Sequence, residues 1–176
     1  MLITPGYVAE QHRLHTDPAY GSGSHRHAYL VAGIACIEGC RTILDYGAGK
    51  GTLKTELLRG GMAVPLIAEY DPGVPGKEVR PEPADLVTCL DVMEHVEPEC
   101  LFAVLRDLVR VTRKKLFVDV ALKYTKSRWL SDGRNSHLIV RDEAFWDGKF
   151  TKHGFKIVRT WNTGVRAWVA LMNPPK

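Results

Sequence analysis

Apolar positions along this chain fall into two rhythms. Short dense runs at 42–46, 63–69, 84–90 and 115–121 alternate with stretches in which apolar residues recur every three or four positions, at about 27–38, 52–59 and 98–113. In the last of these, Leu101, Val104, Leu105, Leu108 and Val111 share one face of a predicted helix. Strand, helix and strand in alternation predict parallel strands buried on both faces. The pattern then changes. A helix at about 141–153, with Phe145 and Trp146 inward, precedes two runs, 155–161 and 166–172, joined by Asn162-Thr-Gly164, which reads as a β-hairpin. Residues 1–27 read as polar and irregular. Residues 72–83, with four prolines and two glycines, suit neither helix nor strand.

Composition narrows the class. With 176 residues, 45% hydrophobic and 25% charged, the chain predicts one globular domain able to bury a real core. A net charge of +4 and a pI of 8.9 permit an anionic or nucleic-acid partner without arguing for one, because the excess forms no run. No apolar run approaches a membrane span, and no signal-peptide pattern opens the sequence. Scattered Cys36, Cys40, Cys89 and Cys100 read as reduced thiols of a cytoplasmic protein. His12, His15, His25 and His27 with Cys36 and Cys40 match no standard zinc spacing.

The most informative stretch is Thr42-Ile-Leu-Asp-Tyr-Gly-Ala-Gly-Lys-Gly-Thr-Leu53: a strand ending in an acid, a glycine turn, and the start of a helix whose free N–H groups face whatever lies over the turn. A dinucleotide fingerprint needs its third glycine at 52, where Thr52 stands; a P-loop needs its first at 44, where Leu44 stands. Asp45 beside the turn would repel a polyphosphate and suit an ammonium or sulfonium ligand. The pattern Asp45-x-Gly47-x-Gly49-x-Gly51 resembles the S-adenosylmethionine site of class I methyltransferases. About twenty residues on, Asp71 follows the second strand, placed to accept two ribose hydroxyl bonds.

A second stretch, Asp91-Val-Met-Glu-His95, resembles the motif after the fourth strand of quinone-biosynthesis-type methyltransferases. In one helical turn Asp91, Glu94 and His95 share a face. The plant small-RNA 2′-O-methyltransferase is similar here, with a further histidine later in the chain, where this sequence offers His137; Asp91 stands where those enzymes have Glu. Small bacterial and phage methyltransferase-domain proteins carry loops similar to Asp132-Gly-Arg-Asn-Ser-His137.

The resemblance spans roughly residues 40–172. It implies a Rossmann-like, mostly parallel doubly wound α/β sheet with a C-terminal antiparallel hairpin, shortened around the third strand. Residues 1–40 would form an N-terminal flap and helix, and 41–173 the core. It implies S-adenosylmethionine held by Asp45, Tyr46, Gly47, Gly49, Gly51, Asp71, Pro72, Leu90 and Asp91, and Mg²⁺ or another divalent metal on Asp91, Glu94, His95 and His137. His137 or His95 would serve as general base. The 17–25 loop and the long 122–137 loop would admit the acceptor, with Tyr20, Lys123, Trp129, Arg134 and Asn135 as its contacts. A hydroxyl of a small molecule or glycan is the favoured acceptor and RNA the alternative. A P-loop-like nucleotide-binding protein and a silent adenosyl-binding module remain as rivals.

Overall fold

The computed structural model describes residues 1–61, 66–161 and 167–175. Helix α1 (Pro5–Leu14) leads through a 3₁₀ turn (Gly23–His27) into α2 (Ala28–Ile37), β1 (Thr42–Tyr46), α3 (Thr52–Arg59), β2 (Leu66–Tyr70) and β3 (Ala84–Leu90). A second 3₁₀ turn (Met93–His95), α4 (Leu101–Val111), β4 (Thr112–Ala121), α5 (Glu143–Lys152), β5 (Lys156–Trp161) and β6 (Ala167–Asn173) follow. The described strands form one sheet in the order β2-β1-β3-β4-β6-β5. The first four are parallel; β6 runs antiparallel to both β4 and β5.

Strand alternation divides the core into two layers. Ile43, Leu86 and Phe117 pack with Val31, Leu53 and Leu57 of α2 and α3. Leu44, Val87 and Val118 pack on the other face with Leu105 and Leu108 of α4 and Trp146 and Phe150 of α5. This is a three-layer α/β/α sandwich, so the carboxyl ends of all four parallel strands open along one edge, where such sheets place ligands.

Between β2 and β3 the chain makes no further element. The turn-rich segment from Asp71 folds back on itself, with Asp71 N–H donating to the Lys77 carbonyl at 2.9 Å. The shortening around a third strand is therefore real, and β2 is left as a sheet edge.

Two expectations need correcting. The first 27 residues are not irregular: Thr4 caps α1 by accepting the Tyr7 N–H, Pro5 occupies a first-turn position, and Tyr7 and Leu14 are buried two turns apart. The helix escapes the apolar pattern because its stability is tertiary: Thr4 donates N–H and hydroxyl bonds to the buried Glu97 carboxylate at 2.8 and 2.6 Å. The second strand also starts later than expected, at Leu66; residues 63–65, the Asn162–Gly164 turn and Arg166 lie outside the described residues.

Candidate active site

Leaving β1, the chain enters the glycine turn, which hangs from β2 by two bonds: Gly47 and Ala48 N–H groups donate to the Tyr70 carbonyl at 2.7 and 3.0 Å. Gly49 has φ +48°, and a Cβ there would stand 2.5 Å from the Gly21 carbonyl oxygen. Only bare backbone permits that approach. The Gly21 carbonyl accepts the Lys50 N–H at 2.8 Å, and Thr52 Oγ1 donates to the Ser22 carbonyl at 3.0 Å. The 17–27 segment is thus laid directly over the turn.

Beneath this segment and α1 lies a cavity of about 790 Å³ at the carboxyl edge of the sheet. Of the cofactor contacts expected from sequence, Tyr46, Gly47, Gly49, Asp71, Pro72, Leu90 and Asp91 line it. The Asp71 carboxylate accepts the Gly49 N–H at 2.9 Å, tying the acid after β2 to the glycine turn. Two expected contacts lie elsewhere. Gly51 faces away, with a hypothetical Cβ 2.3 Å from Glu69 Oε1. Asp45 is buried within the sheet's α2/α3 face, accepting from Thr88 Oγ1 at 3.0 Å while its other oxygen has no partner among the described residues. Burial pushes its carboxyl up to about 7, opposed by the Thr88 bond. The expected direct meeting of Asp45 with a cationic ligand is therefore not the geometry seen: Asp45 braces β1 against β3.

Across the cavity, Glu94, His95 and His137 each bring one ligand atom within 4.8 Å of the others. The 3₁₀ turn after β3 supplies Glu94 and His95, and the end of the 122–137 loop supplies His137. His95 Nδ1 lies 2.9 Å from the Ser136 carbonyl and His137 Nδ1 lies 2.5 Å from the Lys123 carbonyl. A carbonyl only accepts, so both Nδ1 atoms carry protons and both Nε2 atoms keep a free lone pair. Glu94 is fully buried; Oε1 accepts the Ala121 N–H at 2.8 Å and Oε2 has no partner among the described residues.

Burial pushes His95 down to about 3, helped by neighbouring His137, lowers His137, and raises Glu94 well above the usual carboxylate range. A carboxyl oxygen without a partner and two neutral imidazoles, each fixed from behind by a carbonyl, are a donor set that suits a divalent transition metal rather than the expected Mg²⁺, which prefers oxygen ligands throughout. Asp91, the fourth ligand expected from sequence, is not in this cluster; it is paired with Arg26.

Of the expected acceptor contacts, only Tyr20 lines the cavity; its ring packs edge-on against His95 and its hydroxyl donates to Gln11 Oε1 at 3.0 Å. Asn135 holds the loop together, accepting the Thr125 and His137 N–H groups and donating to the Thr125 carbonyl. Arg134 pairs with Asp132, Trp129 is exposed, and Lys123 contributes its carbonyl to His137. Apart from His137, the loop residues named here serve the site by holding the loop's own shape and, at Lys123, through a backbone carbonyl.

Sequence reasoning missed a buried pair on the cavity wall: His27 Nε2 lies 2.6 Å from Asp119 Oδ2. A usable signal existed, since Asp119 interrupts the apolar run Leu116-Phe-Val-Asp-Val-Ala121 where a central strand ought to be apolar.

No protein-family model and no curated protein matches the sequence. Solved structures do. Burkholderia thailandensis 1,6-didemethyltoxoflavin-N1-methyltransferase, solved with 1,6-didemethyltoxoflavin and S-adenosylhomocysteine, is 15% identical, with TM-score 0.65 over 97% of this chain and 86% of that one. Human N-acetylserotonin methyltransferase, solved with S-adenosylmethionine, is 15% identical, with TM-score 0.62 over 96% of this chain and 57% of that one. The methyltransferase domain of bacterial CtHen1-C is 16% identical, with TM-score 0.64 over 86% of this chain and 98% of that one. The chain has the class I S-adenosylmethionine-dependent methyltransferase fold.

Proposed function

We propose that this protein transfers a methyl group from S-adenosylmethionine to a hydroxyl group of a small molecule or glycan, assisted by a divalent metal on Glu94, His95 and His137. The observation that carries the reading is the convergence of those three side chains on one point, with His95 and His137 lining the same cavity as the glycine turn and Asp71. Methyl transfer is in-line displacement at a sulfonium carbon, so alignment does most of the work. Asp71 is placed to hold a ribose, the backbone of Gly47 and Gly49 leaves room for the rest of the cofactor, and the 17–27 segment excludes water above it. When bound, the metal would lower the pKa of a coordinated acceptor hydroxyl. His95 and His137, neutral and with free Nε2 atoms, are the residues able to ligate it or, without it, to accept the proton.

RNA is the second reading, favoured by the resemblance of Glu94, His95 and His137 to the plant small-RNA 2′-O-methyltransferase pattern. The test is incubation with methyl-labelled cofactor and separate small-molecule, glycan and RNA fractions, with and without chelator. Label should enter one fraction, and chelator should suppress it. His95→Ala should remove the divalent-ion response; an unchanged response to chelator in the native protein would rule out the metal. Tighter binding of ATP than of S-adenosylhomocysteine would favour the P-loop-like rival. Cofactor binding with no label transfer to any fraction would favour a silent module.

A further inference from the structure

His95 and His137 cannot both hold a metal and take a proton, because each keeps a single free lone pair, on Nε2. A hydroxyl acceptor still has to lose its proton as it gains the methyl group. We propose that His27, oriented by Asp119, is the catalytic base that receives this proton. The inference rests on the hydroxyl-methylation reading and adds a residue to it.

Besides His95 and His137, three imidazoles line the cavity: His15, His25 and His27. His25 is exposed, with Nδ1 2.8 Å from the Ser22 carbonyl. His15 lies near Asp71, on the side that the reading gives to the ribose. Of the five, His27 alone has a carboxylate within hydrogen-bond distance among the described residues, its Nε2 standing 2.6 Å from Asp119 Oδ2. A carboxylate behind an imidazole fixes the tautomer and stabilises the imidazolium that forms. With the proton of the neutral ring on Nε2, the lone pair is on Nδ1.

Neither residue has a simpler task. His27 occupies the N-cap position of α2, yet its side chain makes no capping bond. Asp119 interrupts the apolar run of β4, which is paired with β3 on one side and β6 on the other. Its Oδ1 is buried without a partner among the described residues. Buried ion pairs add little stability beyond what apolar residues of similar volume supply. Phe117 packs edge-on against His27, ring centroids 5.8 Å apart, and limits how the imidazole can tilt. The pair shares a neighbourhood with the metal-ligating His137: burial and Asp119 raise the Asp91 carboxyl, while Arg26, His27 and His137 lower it. Because the 17–27 segment carries His27 and the sheet carries Asp119, the base is assembled only when that segment lies over the glycine turn.

The step balances without a further reagent. The acceptor oxygen bonds to the methyl carbon as its proton passes to His27 Nδ1. The carbon–sulfur bond breaks with its electron pair staying on sulfur, so the sulfonium becomes the thioether of S-adenosylhomocysteine. Asp119 stabilises the imidazolium, which then yields the proton to water.

The test has a spectroscopic arm, which needs no acceptor and no variant, and a kinetic arm, both on the full chain. Long-range ¹H–¹⁵N NMR of native protein, with the His27 ring assigned from its backbone, should show the neutral imidazole protonated on Nε2; a proton on Nδ1 overturns the proposal. In the kinetic arm, methyl-labelled cofactor is supplied with whichever fraction accepts label. His27→Gln and Asp119→Asn should each lower the saturating rate about 100-fold or more. S-adenosylhomocysteine affinity by calorimetry, and the acceptor dilution giving half-maximal rate, should stay within about threefold of native. A saturating rate within about threefold of native in either variant overturns the base and leaves the methyl-transfer reading standing. Equal losses of rate and cofactor affinity would mark the pair as structural and overturn it as well. If the native protein labels no fraction, the methyl-transfer reading fails and the assignment of a base falls with it.

Discussion

Asp45 offers the sharpest quantitative test of the physical reasoning, because its carboxyl is buried with one oxygen unpartnered. Burial raises its pKa from 3.8 to about 7, a displacement of about three pH units. At about 1.4 kcal/mol per unit, this corresponds to about 4 kcal/mol. The sign follows from linkage. An acid with a higher pKa folded than unfolded binds more protons in the native state, so the stability is fully present below pH 3.8 and is lost as pH rises, until the folded carboxyl has ionised above about pH 7. Roughly 2.5 kcal/mol of the loss falls between pH 5 and pH 8. Asp45→Asn removes the titration, keeps an acceptor for Thr88 and adds an amide donor that lacks a partner, which costs about 1–3 kcal/mol at every pH. The measurement is urea denaturation of both proteins without ligand at pH 5, 6, 7 and 8. The native protein should lose stability relative to the variant as pH rises, and the difference should narrow or reverse by pH 8. Parallel stability curves would show that Asp45 is ionised throughout, and the desolvation argument would fail.

Two further changes probe the frame around the cavity. Gly49→Ala forces a side chain into left-handed backbone and against the Gly21 carbonyl; it should destabilise the protein by about 1–3 kcal/mol and weaken S-adenosylhomocysteine binding more than tenfold, read by thermal unfolding and calorimetry. Trp146→Ala, at a fully buried position between α5 and the sheet, should cost about 3–5 kcal/mol in denaturant unfolding while the cofactor affinity of the remaining folded protein stays unchanged.

The sequence by itself determined what depends on local pattern. The apolar runs of β1, β3 and β4, the helical periodicity of α4 and the glycines at 47 and 49 each report a short-range requirement: burial on two faces, burial on one face, or backbone without a Cβ. So did the chain's economy after β2, where four prolines forbid regular structure. Glu94 and His95 were legible together because they stand side by side in the short stretch that follows β3. What only the tertiary structure decided is which way charged side chains point and what they meet across long separations. Asp45 reads identically in sequence whether it faces a ligand or Thr88, because strand alternation fixes the face and not the occupant of that face. Asp91 stands only three residues before Glu94, yet it lies outside the Met93–His95 turn, has positive φ and pairs with Arg26, 65 residues earlier in the chain. Helix α1 has too weak an apolar stripe to be seen locally and is held by Glu97, 93 residues from Thr4. Such contacts are set by packing of distant segments, and no spacing along the chain encodes them.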